Sequence, residues 1–64
     1  MKLYKHYKGG LYEFIGLATH TETGEVLVCY QSQNDKRMWI RPVEMFMGKV
    51  TVDGKEVLRF AEIN

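Results

Sequence analysis

Cysteine occurs once, at Cys29, so no disulfide can close within the chain. That excludes a stapled secreted mini-protein and fits a reducing compartment. Alanine is confined to Ala18 and Ala61, and proline to Pro42. No apolar run approaches the ~18–20 residues of a membrane span. The start Met1-Lys2-Leu3-Tyr4-Lys5-His6 is too polar and charged for a signal peptide. The expectation is a cytoplasmic domain with no membrane partner. An excess of one charge is missing as well. Nine Lys and Arg face eight Asp and Glu, net +1, so no global field of the kind that drives phosphate binding surrounds the molecule. There is no Walker loop and no dinucleotide fingerprint, and no cofactor is expected.

What is present fits pleated structure. Sixty-four residues make one domain, 1–64, burying only ~60% of its unfolded surface, so each large side chain matters. Thirteen residues are Val, Ile or Thr and eight are aromatic, a composition that suits strands better than helices. Turn signals recur at Gly9-Gly10, Thr23-Gly24, Asn34-Asp35, Pro42, Gly48 and Asp53-Gly54. This spacing predicts an all-β protein: a small SH3-like curled sheet or barrel of about five strands, with one short helical turn near 42–47.

The first hairpin is expected to turn at Gly9-Gly10, which sets Tyr7 opposite Tyr12, His6 opposite Glu13 and Lys5 opposite Phe14. The second pairs Leu11–His20 with Glu25–Gln31 across Thr21-Glu22-Thr23-Gly24. It sets His20 opposite Glu25, Leu17 opposite Val28 and Ile15 opposite Tyr30. Both faces of this hairpin are apolar, so each needs a cover: a curled sheet bending at Gly16, the segment after Pro42, or a second copy of the chain. Met38–Arg41 predicts a strand ended by Pro42. Asp53-Gly54 predicts a final hairpin whose simple register mixes apolar and charged positions, leaving a bulge that gathers Val50, Leu58 and Phe60 as an open alternative.

Three runs in order are distinctive: Tyr4-Lys5-His6-Tyr7-Lys8-Gly9-Gly10-x-Tyr12, His20-Thr21-Glu22-Thr23-Gly24-Glu25, and Trp39-Ile40-Arg41-Pro42-Val43-Glu44-Met45-Phe46. Together they resemble a family of short bacterial proteins of unknown function with the pattern YxHYKGxxY…AxHxETGE…VVY…WxRPxxMF. The resemblance spans residues 4 to about 60. It implies a standalone bacterial cytoplasmic protein with a small β-rich, SH3-like fold, and it carries over no catalytic residue. Val28-Cys29-Tyr30 stands where the pattern has Val-Val-Tyr.

Candidate chemistry is sparse. His20-x-Glu22 echoes half of a zinc-deaminase signature, but the P-C-x-x-C half is absent. A metal would need His6, His20 and a carboxylate to converge, and the simpler roles are cross-strand pairing with Glu25 and, for His6, with Glu13. Cys29 sits mid-strand without a base, and Ser32 lacks a nucleophile elbow. Trp39 and Arg41 share one side of a strand. Either they face a ligand, or Trp39 plugs the barrel while Glu44 holds Arg41. The ligand-binding candidates are Tyr7, Lys8, Tyr12, Trp39 and Arg41, with His6, His20, Glu22 and Glu44 as secondary positions. Rings interleaved with cations suit single-stranded nucleic acid, and an exposed strand edge suits an extended peptide. A non-catalytic module for one of these is the leading expectation. A structural protein acting as a small homodimer is the alternative.

Overall fold

The computed structural model describes residues 1–63. Strands β1 (Lys2–His6), β2 (Leu11–Thr19), β3 (Val26–Ser32) and β4 (Met38–Pro42) lead into helix α1 (Val43–Phe46). Strands β5 (Lys49–Val52), β6 (Lys55–Leu58) and β7 (Phe60–Ile63) follow. The fold is mainly β, with seven strands rather than about five. An antiparallel sheet runs β4-β3-β2-β1-β7, and β5-β6 is a separate hairpin. Among the described residues no ladder joins β4 to β7, so the sheet is not closed by hydrogen bonds.

The expected first-hairpin register is displaced. Tyr4 lies opposite Tyr12 and Lys2 opposite Phe14. The cause is local: the His6 carbonyl accepts from the Gly9 N–H at 2.7 Å, and the His6 N–H donates to the Gly10 carbonyl at 2.8 Å. Tyr7, Lys8 and Gly9 therefore form the loop, with Gly9 at φ 112°, as in three-residue hairpins carrying a glycine bulge. An odd displacement exchanges the faces of a strand. Tyr4 and His6, not Tyr7 and Lys5, thus share a side with Tyr12 and Phe14. His6 has Phe60 of β7 opposite it, not Glu13.

The second hairpin follows expectation from Thr19–Val26 to Gly16–Cys29, with Gly24 at φ 75° in its loop. The register then slips between Phe14 and Gly16, so Phe14 rather than Ile15 faces Tyr30. This bulge, beside the glycine expected at the bend, re-aims Phe14. One side of the sheet thereby carries the core: Tyr4, Val28, Tyr30, Phe46 and Phe60 are buried, with Tyr12, Phe14 and Val43 against them. Phe46 stacks on Phe60 at 4.1 Å and 10°, and both Tyr4 and Tyr30 meet Phe46 at 5.2 Å. An aromatic core suits a short chain, because each ring buries ~150–250 Å².

Helix α1 is shorter than residues 42–47, with Pro42 as its N-terminal flank at ψ 139°. It ends where a Cβ on Gly48 would meet the Glu44 carbonyl oxygen at 2.8 Å, so only glycine fits. The Asp53-Gly54 turn has positive φ at both residues, 51° and 78°, as a two-residue primed turn requires. It yields the simple register Val52–Lys55 and Val50–Val57. Arg59 then interrupts the chain and Phe60 starts β7, so β6 and Phe60 are not one strand.

The sheet side away from the core is open in part, although Leu27 is buried there. Ile40 is 61% exposed, and Met38, Leu11 and Ile63 are exposed as well.

Candidate nucleic-acid interface

Two short-range effects build the site, the β1–β2 turn and the break at Arg59. The turn sets His6 on the core side, where its ring meets Tyr7 at 4.6 Å, Phe60 at 4.9 Å and Tyr12 at 6.3 Å. His6 Nδ1 accepts the Lys8 N–H at 3.1 Å, which assigns the proton of the neutral ring to Nε2. Tyr12 packs against Tyr30 at 5.4 Å and Phe60 at 5.6 Å. A Cβ on Gly10 would lie 3.0 Å from the Tyr12 ring, so the ring lies close over the bare Gly10 backbone.

Cations border these rings. The Arg41 guanidinium lies 5.9 Å from the Phe60 centroid and Lys8 Nζ 5.7 Å from Tyr7. On β4, Trp39 stands opposite Tyr30 and Arg41 opposite Val28, which puts both on the core side of the sheet. Trp39 is 42% exposed and carries the Arg37 guanidinium at 5.4 Å, so it is an open rim residue and not a barrel plug. Arg59 enters from the β6–β7 junction. Its Nε is buried without a hydrogen-bond partner, and its carbonyl accepts the Tyr7 N–H at 2.9 Å. Burial first, then the charges of Arg41, Arg59 and Lys8, hold His6 below its ordinary pKa of 6.5.

The five leading candidates thus gather around the buried rings of Phe60 and Tyr30. Lys8 and Tyr7 adjoin His6, Tyr12 shares Phe60 with His6 and Arg41, and Trp39 joins through Tyr30. Of the secondary positions, His6 lies among these residues and the other three separate from them. His20 and Glu22 lie in the β2–β3 loop, at the far end of β2 from His6. His20 Nδ1 accepts the Glu22 and Thr23 N–H groups at 3.2 and 3.4 Å, and the Glu22 carboxylate approaches it at 3.6 Å. His20 therefore caps its own turn. Its pairing with Glu25 is by backbone, through the His20 N–H to the Glu25 carbonyl at 2.8 Å. Glu44 makes no ion pair with Arg41, since the one ion pair among the described residues is His20–Glu22. Arg59 and Phe60 had no place among the sequence candidates, because an uninterrupted Lys55–Phe60 strand hides the turn that brings them to His6.

The fold and site define a class: a small antiparallel β domain with a buried cluster of aromatic rings, bordered by cations that have no carboxylate partner among the described residues. The chain belongs to the family described as protein of unknown function DUF1653, which matches residues 2–62. It is similar to the crystal structure of a DUF1653 protein from Bordetella bronchiseptica, with 33% identity and a TM-score of 0.86. That similarity covers 95% of this chain and 82% of the other. No curated protein matches the sequence. Among the described residues, no helix is long and apolar enough to cross a membrane.

Proposed function

We propose that this domain is a non-catalytic binding module for single-stranded nucleic acid. The carrying observation is that Trp39 carries Arg37, Tyr7 carries Lys8 and Arg41 borders the Phe60 ring beside Tyr12, with none of these cations paired with a carboxylate among the described residues. Bases stack on rings whatever their sequence, at ~1–3 kcal/mol each, while cations track the phosphates. The near-neutral net charge makes affinity modest and strongly dependent on salt. The single tryptophan is the natural reporter. Oligo-dT or oligo-U is expected to quench Trp39 fluorescence at low salt, with recovery as salt rises. No quenching by either would sink this reading, and a salt-insensitive response to a peptide pool would replace it with peptide capture at the β4 or β7 edge.

A second reading has its own observation in the open apolar face of Met38, Ile40, Leu11 and Ile63. A homodimer would cover it. Light scattering giving twice the 7.5 kDa chain mass, reverting to one chain in Ile40→Glu, would establish that role.

A further inference from the structure

We propose that Arg41, Arg59, Lys8 and His6 form a phosphate-binding subsite, separate from the stacking surface of Trp39. The proposal rests on the nucleic-acid reading and names the group that the strand presents at this end of the rim.

Three observations support it. The cations come from three distant parts of the chain, the β1–β2 turn, β4 and the β6–β7 junction, yet meet around one pair of rings. The Lys8 N–H bonds to His6 Nδ1, the Arg41 guanidinium lies 5.9 Å from the Phe60 ring that His6 approaches at 4.9 Å, and Arg59 precedes Phe60 and accepts the Tyr7 N–H at its carbonyl. No carboxylate balances them within ion-pair distance among the described residues. Arg59 Nε is buried with its N–H unanswered, and a buried donor without an acceptor costs about 1–3 kcal/mol. Such a donor is tolerated more easily where a ligand supplies the acceptor. The chemistry of the donors selects the ligand. Guanidinium groups match phosphate oxygens in a planar fork, Lys8 adds a point charge, and neutral His6 donates from Nε2 while Nδ1 is held by the Lys8 N–H. A cation is excluded by charge, and an apolar group would leave Arg59 unanswered.

An anion among these cations opposes their effect on His6, so phosphate binding and His6 protonation are coupled. The groups acting on His6 are Arg41 on β4, Arg59 at the β6–β7 junction and Lys8 in its own turn, with Tyr7 and Tyr12 as ring neighbours. All the charged ones are cationic, which gives the coupling one sign.

The experiment is an NMR titration of the full chain with inorganic phosphate at constant ionic strength, following the His6 ring and the arginine Nε–H signals. The His6 midpoint is expected to rise by about one unit, as when an opposite charge arrives. The Arg59 Nε–H signal should move with it, and chloride should do neither. Arg41→Gln should weaken phosphate binding about tenfold, the loss of one charge-assisted bond, and Lys49→Gln should leave it unchanged. Arg59→Lys keeps the charge but removes the fork, and should weaken binding while the fold is retained. A nucleoside 5′-monophosphate and a dinucleoside monophosphate distinguish a terminal phosphate from a backbone diester. Equal responses to phosphate and chloride overturn the subsite even where oligo-dT still quenches Trp39. Phosphate binding without any quenching keeps the subsite and removes the nucleic-acid reading.

Discussion

At the scale of single residues, His6 links the site to stability. Its lowered pKa means that the unfolded chain binds a proton more readily than the folded one. The contribution is therefore complete above the ordinary value of 6.5 and is lost as pH falls below it. Denaturant midpoints should drop between pH 7.5 and 5.5, and His6→Gln should flatten that part of the curve. Asp35 adds a separate, more acidic window. Its carboxylate accepts the Arg37 N–H at 3.1 Å, and this bond first of all holds its pKa below 3.8. Tyr12 offers another test through its neighbour. Gly10→Ala would push a methyl group into the ring, displacing a stacking surface without changing a charge. Oligonucleotide affinity should fall while the salt slope stays the same.

At the scale of elements, α1 matters for one residue above all. Phe46 is fully buried between Phe60, Tyr4 and Tyr30. Phe46→Ala should cost about 3–5 kcal/mol, comparable with the whole stability of a domain this size, ~3–10 kcal/mol at ~0.05–0.15 kcal/mol per residue. Thermal unfolding should show little or no cooperative transition in that variant. Gly48 ties the helix end to the rim, because its carbonyl accepts the Arg59 N–H at 3.0 Å. Gly48→Ala should therefore lower the melting temperature and disturb Arg59 together. Much of this level was legible in the sequence. The Gly24 and Asp53-Gly54 turns, the short helix after Pro42 and the strand holding Trp39 and Arg41 all follow from local signals. The first hairpin and the Ile15 bulge did not, for a shared reason. The partner of Tyr12 moves by three residues, from Tyr7 to Tyr4, and that of Tyr30 by one, from Ile15 to Phe14, and each odd shift puts an aromatic ring on the core side. Arg59 escaped notice because a break between two β segments leaves no signature when neither flank is glycine or proline.

At the scale of the whole molecule, the body and the β5–β6 hairpin make an elongated shape. The extents are 37 × 24 × 19 Å and the radius of gyration is 12.3 Å, against about 11 Å for a compact chain of this length. The apolar side chains of β5–β6 line a groove of about 410 Å³, in which Val52, Val57 and Leu58 face Lys5, His6, Tyr7 and Ala61. The groove adjoins the rim through His6 and Tyr7. Electrostatics acts at this scale too. With the net charge at +1, the rim cations dominate any phosphate binding, and replacing Lys8 or Arg41 by Gln should each reduce the salt slope by about one.

The central claim is that the rings and cations gathered around Phe60 and Tyr30 take up single-stranded nucleic acid. Its most direct test is an amide NMR titration with short single-stranded RNA at low salt, repeated as salt is raised. The account predicts shifts confined to Tyr7, Lys8, Tyr12, Trp39, Arg41 and Arg59, including the Trp39 indole N–H, and reversed by salt. Shifts absent from these residues, or gathered on the open face around Ile40 and Met38, would contradict it.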